Sequence, residues 1–142
     1  MPVDSRYSAS ATAIGGRDGR VTTPDNVIDL ATSTPRELGG EGAPDATNPE
    51  QLFAAGYSAC FLSAMKLVAQ QRGLTMPDET TVRATVGIGP HSQDGFGLVV
   101  SLAVQVPGVD RASAEQVAQD AHQQCPYSHA TRNNVDVVIS II

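Results

Sequence analysis

Apolar and polar positions follow two rhythms along this chain. Residues Tyr7 to Ile14 alternate small or apolar side chains with hydroxyl-bearing ones, a period of two that predicts a strand. Gly15-Gly16-Arg17-Asp18-Gly19 then predicts a turn, with glycine supplying positive φ. Arg20 to Thr23 and Val27 to Leu30 predict two further short strands, or one interrupted at Pro24. Ser33 to Ala46, rich in Gly, Pro and acidic residues, predicts a surface loop.

At Asn48 the rhythm changes to that of a helix. Asn48 suits an N-cap, Pro49 the first helical position, and Gln51 completes an N-x-x-Q capping box. Glu50 in the first turn complements the helix dipole. The helix is expected to reach about Arg72 and stop at Gly73, with Pro77 beyond. Leu52, Gly56, Cys60, Ser63 and Leu67 share one face. Gly56, Cys60 and Ala64 are small and four apart, a spacing that lets another backbone approach closely. Strand alternation returns over Val82 to Ile88 and over Leu98 to Val106, with Gly89 to Gly97 as a hairpin loop. Ser113 and Gln116 form an S-x-x-Q box that predicts a second helix start. That helix carries Ala114, Val117, Ala118, Ala121 and Cys125 on one face and ends at Pro126. Val135 to Ile142 closes the chain as a strand. The predicted class is α+β, with antiparallel sheets packed around a long helix.

Composition changes this picture mainly by exclusion. With 142 residues the chain fits one domain, 1–142, with one modest core. No Trp, three Phe and three Tyr leave little for a base-stacking surface. A net charge of −6 with a single lysine, Lys66, argues against nucleic acid as partner. The N-terminus shows no apolar h-region, so no signal peptide is expected. No apolar run is expected to approach the roughly 20 residues that span a bilayer, so no membrane association is expected either. A cytoplasmic, reducing location follows as the expectation. Two cysteines in that setting are more often catalytic, redox-sensing, metal-binding or buried than a structural staple.

Those two, Cys60 and Cys125, carry the candidate chemistry. Cys60 lies mid-helix, beyond the reach of its own helix N-terminus, so a reactive thiolate there requires a cation from elsewhere in the fold. Arg17 is the candidate because glycines flank it in a tight turn, although a solvated charge at a hairpin tip has the same pattern. Either cysteine also reads as a small core residue. Two helices packed in one small core would be able to bring the sulfurs within disulfide range. His122-x-x-Cys125-x-x-x-His129 with Cys60 has zinc-ligand spacing and defines a rival metal-binding reading. Otherwise His91, His122 and His129 read as surface or loop residues.

The stretch Thr47-Asn48-Pro49-Glu50-Gln51-Leu52-Phe53-Ala54-Ala55-Gly56-Tyr57-Ser58-Ala59-Cys60-Phe61 resembles the signature of the organic hydroperoxide resistance (Ohr) proteins of the OsmC/Ohr family. Gly15 to Gly19, Val86 to Gly89 with Gly95 to Leu98, and Cys125-Pro126-Tyr127-Ser128 running into Ala130-Thr131-Arg132 agree with it in order and spacing. The resemblance implies an Ohr-like fold: antiparallel sheets wrapped around long central helices in an intertwined homodimer. It implies a peroxidase acting on organic hydroperoxides, with Cys60 as peroxidatic and Cys125 as resolving cysteine. Arg17 and Glu50 match the pair that activates the thiolate. No cofactor or metal is implied, and dihydrolipoamide or a lipoylated protein is the expected external reductant. An OsmC-type peroxidase of broader specificity and a redox sensor without turnover are the neighbouring readings. Phe53, Phe61, Met65 and Phe96 are candidates to line an apolar substrate vestibule. Glu50 and Cys60 are ten residues apart, roughly 15 Å along a straight helix. The helix therefore bends, at Gly56 for example, or the Arg17–Glu50 pair comes from a partner subunit, which is the reading favoured here.

Overall fold

The computed structural model describes residues 2–142, and these divide into two compact units at the start of the long helix. The first unit, residues 2–49, is a three-stranded antiparallel sheet of β1 (Thr12–Ile14), β2 (Gly19–Thr22) and β3 (Asp29–Thr32). Its register aligns Ala13 with Val21 and Val21 with Leu30. β1 is shorter than the alternation from Tyr7 predicts, because Tyr7 to Ala11 form no ladder. The predicted surface loop contains one short 3-10 turn, Arg36–Leu38. No apolar side chain of this unit is buried among the described residues; Ser33 is its only buried residue. A domain requires a core of its own, and this sheet has none.

The second unit, residues 50–142, holds the core. Helix α1 (Pro49–Gln71) starts one residue after Asn48 and ends on Gly73, whose φ is +70°. Leu74 N–H donates to the Ala69 carbonyl and Gly73 N–H to that of Gln70, the paired bonds of a Schellman stop. α1 runs unbroken through Gly56. At 23 residues it is long and apolar enough to cross a membrane by length and composition, which corrects the expectation that no apolar run approaches that length. Here Tyr57, Phe61, Met65 and Val68 instead bury one side of it in the core.

Strands β4 (Thr81–Pro90) and β5 (Phe96–Gln105) form a hairpin with Ile88 opposite Leu98 and Pro90 opposite Phe96, leaving only His91 to Gly95 as its loop. After β5 come α2 (Arg111–Gln124), α3 (Pro126–Thr131) and β6 (Val137–Ile141). β6 pairs with β5 in parallel, with Leu102 opposite Ile139. The expectation of purely antiparallel sheets is corrected at this strand. The physical reason is the helical crossover, which returns the chain to the end of the sheet where β5 began. Val100, Leu102 and Val104 of β5, with Val106 just beyond it, share one buried cluster with Tyr57, Phe61, Met65 and Val68 of α1 and with Ala114, Val117, Ala118, Ala121 and Cys125. The architecture is α+β.

The start of α2 also differs from expectation. The N-cap of α2 is Asp110 rather than Ser113, and the helix begins at Arg111, since the Asp110 carboxylate accepts from Ser113 N–H at 3.0 Å. Ser113 is therefore a third-position residue and not the cap. Pro126 ends α2 as expected but also opens α3, where its missing N–H leaves nothing unsatisfied and its fixed φ suits the first turn. Leu102 is wholly buried at the centre of the core. Leu102→Ala is expected to cost about 2–5 kcal/mol in urea unfolding. A loss below 1 kcal/mol, about half the bottom of that range, would mean that the core is not organised around β5.

Candidate active site: two thiols at a helix elbow

Cys125 occupies the corner between α2 and α3, closing the first helix and preceding the second. Its N–H donates to the Ala121 carbonyl, and its own carbonyl accepts from His129 N–H. The side chain is 0% exposed. Cys60 lies on α1, half-buried, and the two sulfurs are 3.7 Å apart. Both are free thiols. A disulfide bond is about 2.05 Å long, so this is a reduced pair one short movement from bonding. The two helix faces thus bring the sulfurs together as their apolar patterns allowed.

The elbow also presents backbone to Cys60. Tyr127 N–H, in the first turn of α3, hydrogen-bonds the Cys60 sulfur. This amide favours the thiolate, but burial pushes the Cys60 thiol up, and the neighbouring Cys125 thiol pushes it further. The net direction is upward. Sequence reasoning excluded activation by the N-terminus of α1; it did not find that another helix start faces the sulfur, because α3 is only six residues long and hidden behind a proline.

The small stripe on α1 has a different use from the one expected. A Cβ on Gly56 would lie 2.5 Å from the Tyr127 hydroxyl and 3.0 Å from its ring, so the close approach is that of a phenol and not of a neighbouring backbone. The Tyr127 ring lies 5.9 Å from Phe53 and 5.6 Å from Tyr57, edge-on or tilted in both cases. Of the apolar candidates, Phe53 therefore stands in the aromatic cluster beside the thiols. Phe61 and Met65 are fully buried core residues, and Phe96 is 73% exposed where the hairpin loop meets β5.

Behind the sulfurs runs a buried polar chain that the sequence reading did not anticipate. Tyr57 Oη and Ser128 Oγ are 2.7 Å apart, and Ser128 Oγ lies 2.7 Å from His122 Nδ1. Arg132 donates to the His122 carbonyl at 2.6 Å. His122 is half-buried, not a surface residue; burial first, and then the Arg132 charge, lower its pKa. The signal available in sequence was the i, i+3 spacing of His122, Cys125 and Ser128. Among the described residues no group of three or more His, Cys, Asp or Glu side chains gathers to hold a metal ion. His122 is committed to Ser128 instead of to the thiols.

Arg17 and Glu50 belong to different units. In the first unit, Gly15 and Gly16 take φ of +76° and +62°, and a Cβ on Gly15 would strike the Asp18 backbone. Thr32 Oγ1 donates to the Gly16 carbonyl at 2.9 Å and accepts from Gly19 N–H at 2.8 Å. The Asp18 carboxylate accepts from the Thr34 backbone N–H and hydroxyl at 2.9 and 2.7 Å, bonds that lower its pKa. The half-buried Arg17 is thus carried on a turn fixed from both sides, as its flanking glycines suggested. In the second unit, Glu50 is in the first turn of α1. Ten residues of helix, roughly 15 Å of rise, separate it from Cys60, beyond the reach of its side chain.

Comparison with known proteins places this geometry. The family model for OsmC-like proteins matches residues 40–140, and the chain belongs to that family, in its organic hydroperoxide resistance branch. An organic hydroperoxide resistance protein of Xanthomonas axonopodis pv. citri is 54% identical over 135 residues, 95% of this chain and 94% of its own length. The organic hydroperoxide resistance protein OhrA of Bacillus subtilis is 38% identical over 135 residues, 95% of each chain. Among solved structures, a putative organic hydroperoxide resistance protein from Vibrio cholerae, with captopril bound in one of its active sites, superimposes with a TM-score of 0.90. It is 47% identical and covers 99% of this chain and 95% of that one. This membership implies a role in peroxide defence.

Because His122 has a depressed pKa, the unfolded chain binds its proton more readily than the folded one. Stability from this residue is complete above the ordinary histidine range and drains away as pH falls through the lowered value. Urea unfolding between pH 8 and pH 5 should show wild type losing stability on acidification, with a flatter profile for His122→Asn. Superimposable profiles would mean that His122 is not held neutral in the fold.

Proposed function

We propose that the protein is a two-cysteine thiol peroxidase that reduces organic hydroperoxides to alcohols. The observation that carries this reading is the asymmetry of the sulfur pair: one thiol half-exposed, its neighbour fully buried, 3.7 Å between them. A peroxide can reach Cys60, whereas Cys125 is placed to react only with Cys60. The Cys60 thiolate attacks the distal peroxide oxygen, the O–O bond breaks, and the alkoxide leaves as the alcohol after taking a proton. Cys60 is then a sulfenic acid. The Cys125 sulfur attacks the Cys60 sulfur, forming the S–S bond and expelling the sulfenic oxygen as water. An external dithiol restores both thiols by two exchanges through a mixed disulfide. By family resemblance that dithiol is dihydrolipoamide or a lipoylated protein, and no bound cofactor takes part.

Activation requires more than this unit supplies, since burial and the Cys125 thiol hold Cys60 towards its neutral form. Arg17, oriented by Glu50, is the proposed cation, and a bidentate carboxylate contact would fix its guanidinium fork towards the sulfur. The length of helix between Glu50 and Cys60 favours supply of this pair by a second subunit, in a homodimer. The coreless first unit supports the same reading, because its apolar side chains, Ile14, Val27 and Leu30 among them, remain to be covered. α1 is apolar around much of its circumference, with Leu67 half-exposed, as suits a helix central to such a dimer. We place the enzyme in the cytoplasm. Phe53 and Tyr127, whose rings pack against each other and which are both only partly buried, would favour alkyl and fatty-acid hydroperoxides over hydrogen peroxide.

Steady-state consumption of tert-butyl hydroperoxide and hydrogen peroxide with dihydrolipoamide tests the reading. Turnover is expected with the organic peroxide, abolished in Cys60→Ser. Equal turnover of both peroxides would point to the broader OsmC-type specificity, and no turnover with either would remove the peroxidase reading. Arg17→Ala tests the cation separately. With it removed, burial and Cys125 outweigh the Tyr127 amide at Cys60, so iodoacetamide labelling at pH 7 is expected to slow at least about tenfold and to recover at alkaline pH. An unchanged labelling profile would relieve Arg17 of this role.

A further inference from the structure

The buried chain Tyr57–Ser128–His122 lies one helical turn from the reactive sulfurs on all three helices that meet at the site. Tyr57 precedes Cys60 by three residues on α1. His122 precedes Cys125 by three on α2, and Ser128 follows it by three on α3. The Ser128 hydroxyl joins the other two at 2.7 Å each, and Thr131 Oγ1 makes a longer contact of 3.4 Å to the Tyr57 hydroxyl. Tyr57 and Ser128 are 0% exposed. A buried hydroxyl without a partner is costly, so any slide of α3 along α1 or away from α2 strands at least one of these groups. The pair Cys60–Cys125 spans α1 and the α2–α3 corner, the same elements that the chain of hydroxyls ties together.

We propose that Tyr57, Ser128 and His122 are positioning residues that set the separation of Cys60 and Cys125 and so govern how readily the two thiols join. They touch neither peroxide nor sulfur in this role; they hold the corner at which Cys125 sits. The consequence for turnover rests on the two-cysteine peroxidase reading. After the first step, the Cys60 sulfenic acid has two fates. Cys125 captures it, forming the S–S bond and releasing water, or a second hydroperoxide transfers an oxygen to it, leaving an alcohol and a sulfinic acid that no thiol restores. A loosened corner slows the first fate and leaves the second untouched, so the Tyr57–Ser128–His122 chain protects the enzyme from inactivation by its own substrate.

The primary test needs no peroxide. Equilibrating the reduced protein with mixtures of reduced and oxidised glutathione, and counting Cys60–Cys125 disulfide by mass spectrometry, gives the effective concentration of one thiol at the other. Tyr57→Phe and Ser128→Ala are expected to lower it about threefold to tenfold, the range set by one lost hydrogen bond. Ser128→Thr, which keeps a hydroxyl, should restore most of it. Val117→Ala, a core truncation away from the chain of hydroxyls, should lower stability at least as much yet leave the effective concentration at the wild-type value. Equal values for wild type, Tyr57→Phe and Ser128→Ala, or an equal fall in Val117→Ala, would overturn the assignment.

A second arm adds excess tert-butyl hydroperoxide and follows Cys60 sulfinic acid. Faster accumulation is expected in Tyr57→Phe and Ser128→Ala, with an unchanged rate of the first oxidation. Accumulation at the wild-type rate, with the effective concentration lowered, would overturn the protective role. Wild type that forms its disulfide with glutathione but never with hydroperoxide would remove the peroxidase reading and the protective role with it, while the positioning of the thiols stands or falls on the first arm.

Discussion

The contact between Cys60 and Cys125 exists because the chain turns a corner at Cys125. Pro126 cannot continue α2, yet it can begin α3, so one residue both breaks a helix and starts another, and the cysteine between them is pressed into the core. That corner brings three things to α1 at once: a buried thiol, a backbone amide from Tyr127 and the tyrosine ring that covers Gly56. Gly56 has no side chain, and the ring needs that space. The core formed by β5, α1 and α2 is the frame that keeps the corner in place.

Much of this was legible in the sequence, for reasons that can be located. α1 was readable at both ends, because Pro49 and Gly73 act through local backbone chemistry that tertiary contacts seldom override. The hairpin of β4 and β5 was readable from its alternation, and its loop is shorter than expected because Gly89, Pro90, Phe96 and Gly97 still pair. The parallel entry of β6 was not readable, since alternation reports which face is buried and not which way a strand runs. The start of α2 was misplaced by three residues because Asp110 and Ser113 are both competent caps, and only geometry shows which one accepts a hydrogen bond.

At the site, the two cysteines were found by residue type and by resemblance, whereas the environment of Cys60 was not. The Tyr127 amide comes from a six-residue helix with no periodicity to announce it. Tyr57, Ser128 and His122 are scattered over 72 positions of sequence, and what unites them is hydrogen bonding in a buried space. The apolar candidates show the same limit. Phe53, Phe61 and Met65 lie on one helix, but only the fold separates the residue beside the thiols from the two that serve the core. Thiol activation is a tension within this unit, as burial opposes the charge that the proposed chemistry needs, and this is why a cation is part of the proposal.

The most direct measurement is the fate of the two sulfurs after a single oxidation. One equivalent of tert-butyl hydroperoxide is added to the fully reduced protein without a reductant, and intact mass and free thiols are read together. The account predicts the loss of two hydrogens, no free thiol, and a peptide linking Cys60 to Cys125. A protein that instead gains one oxygen at Cys60 and keeps Cys125 as a free thiol would contradict it.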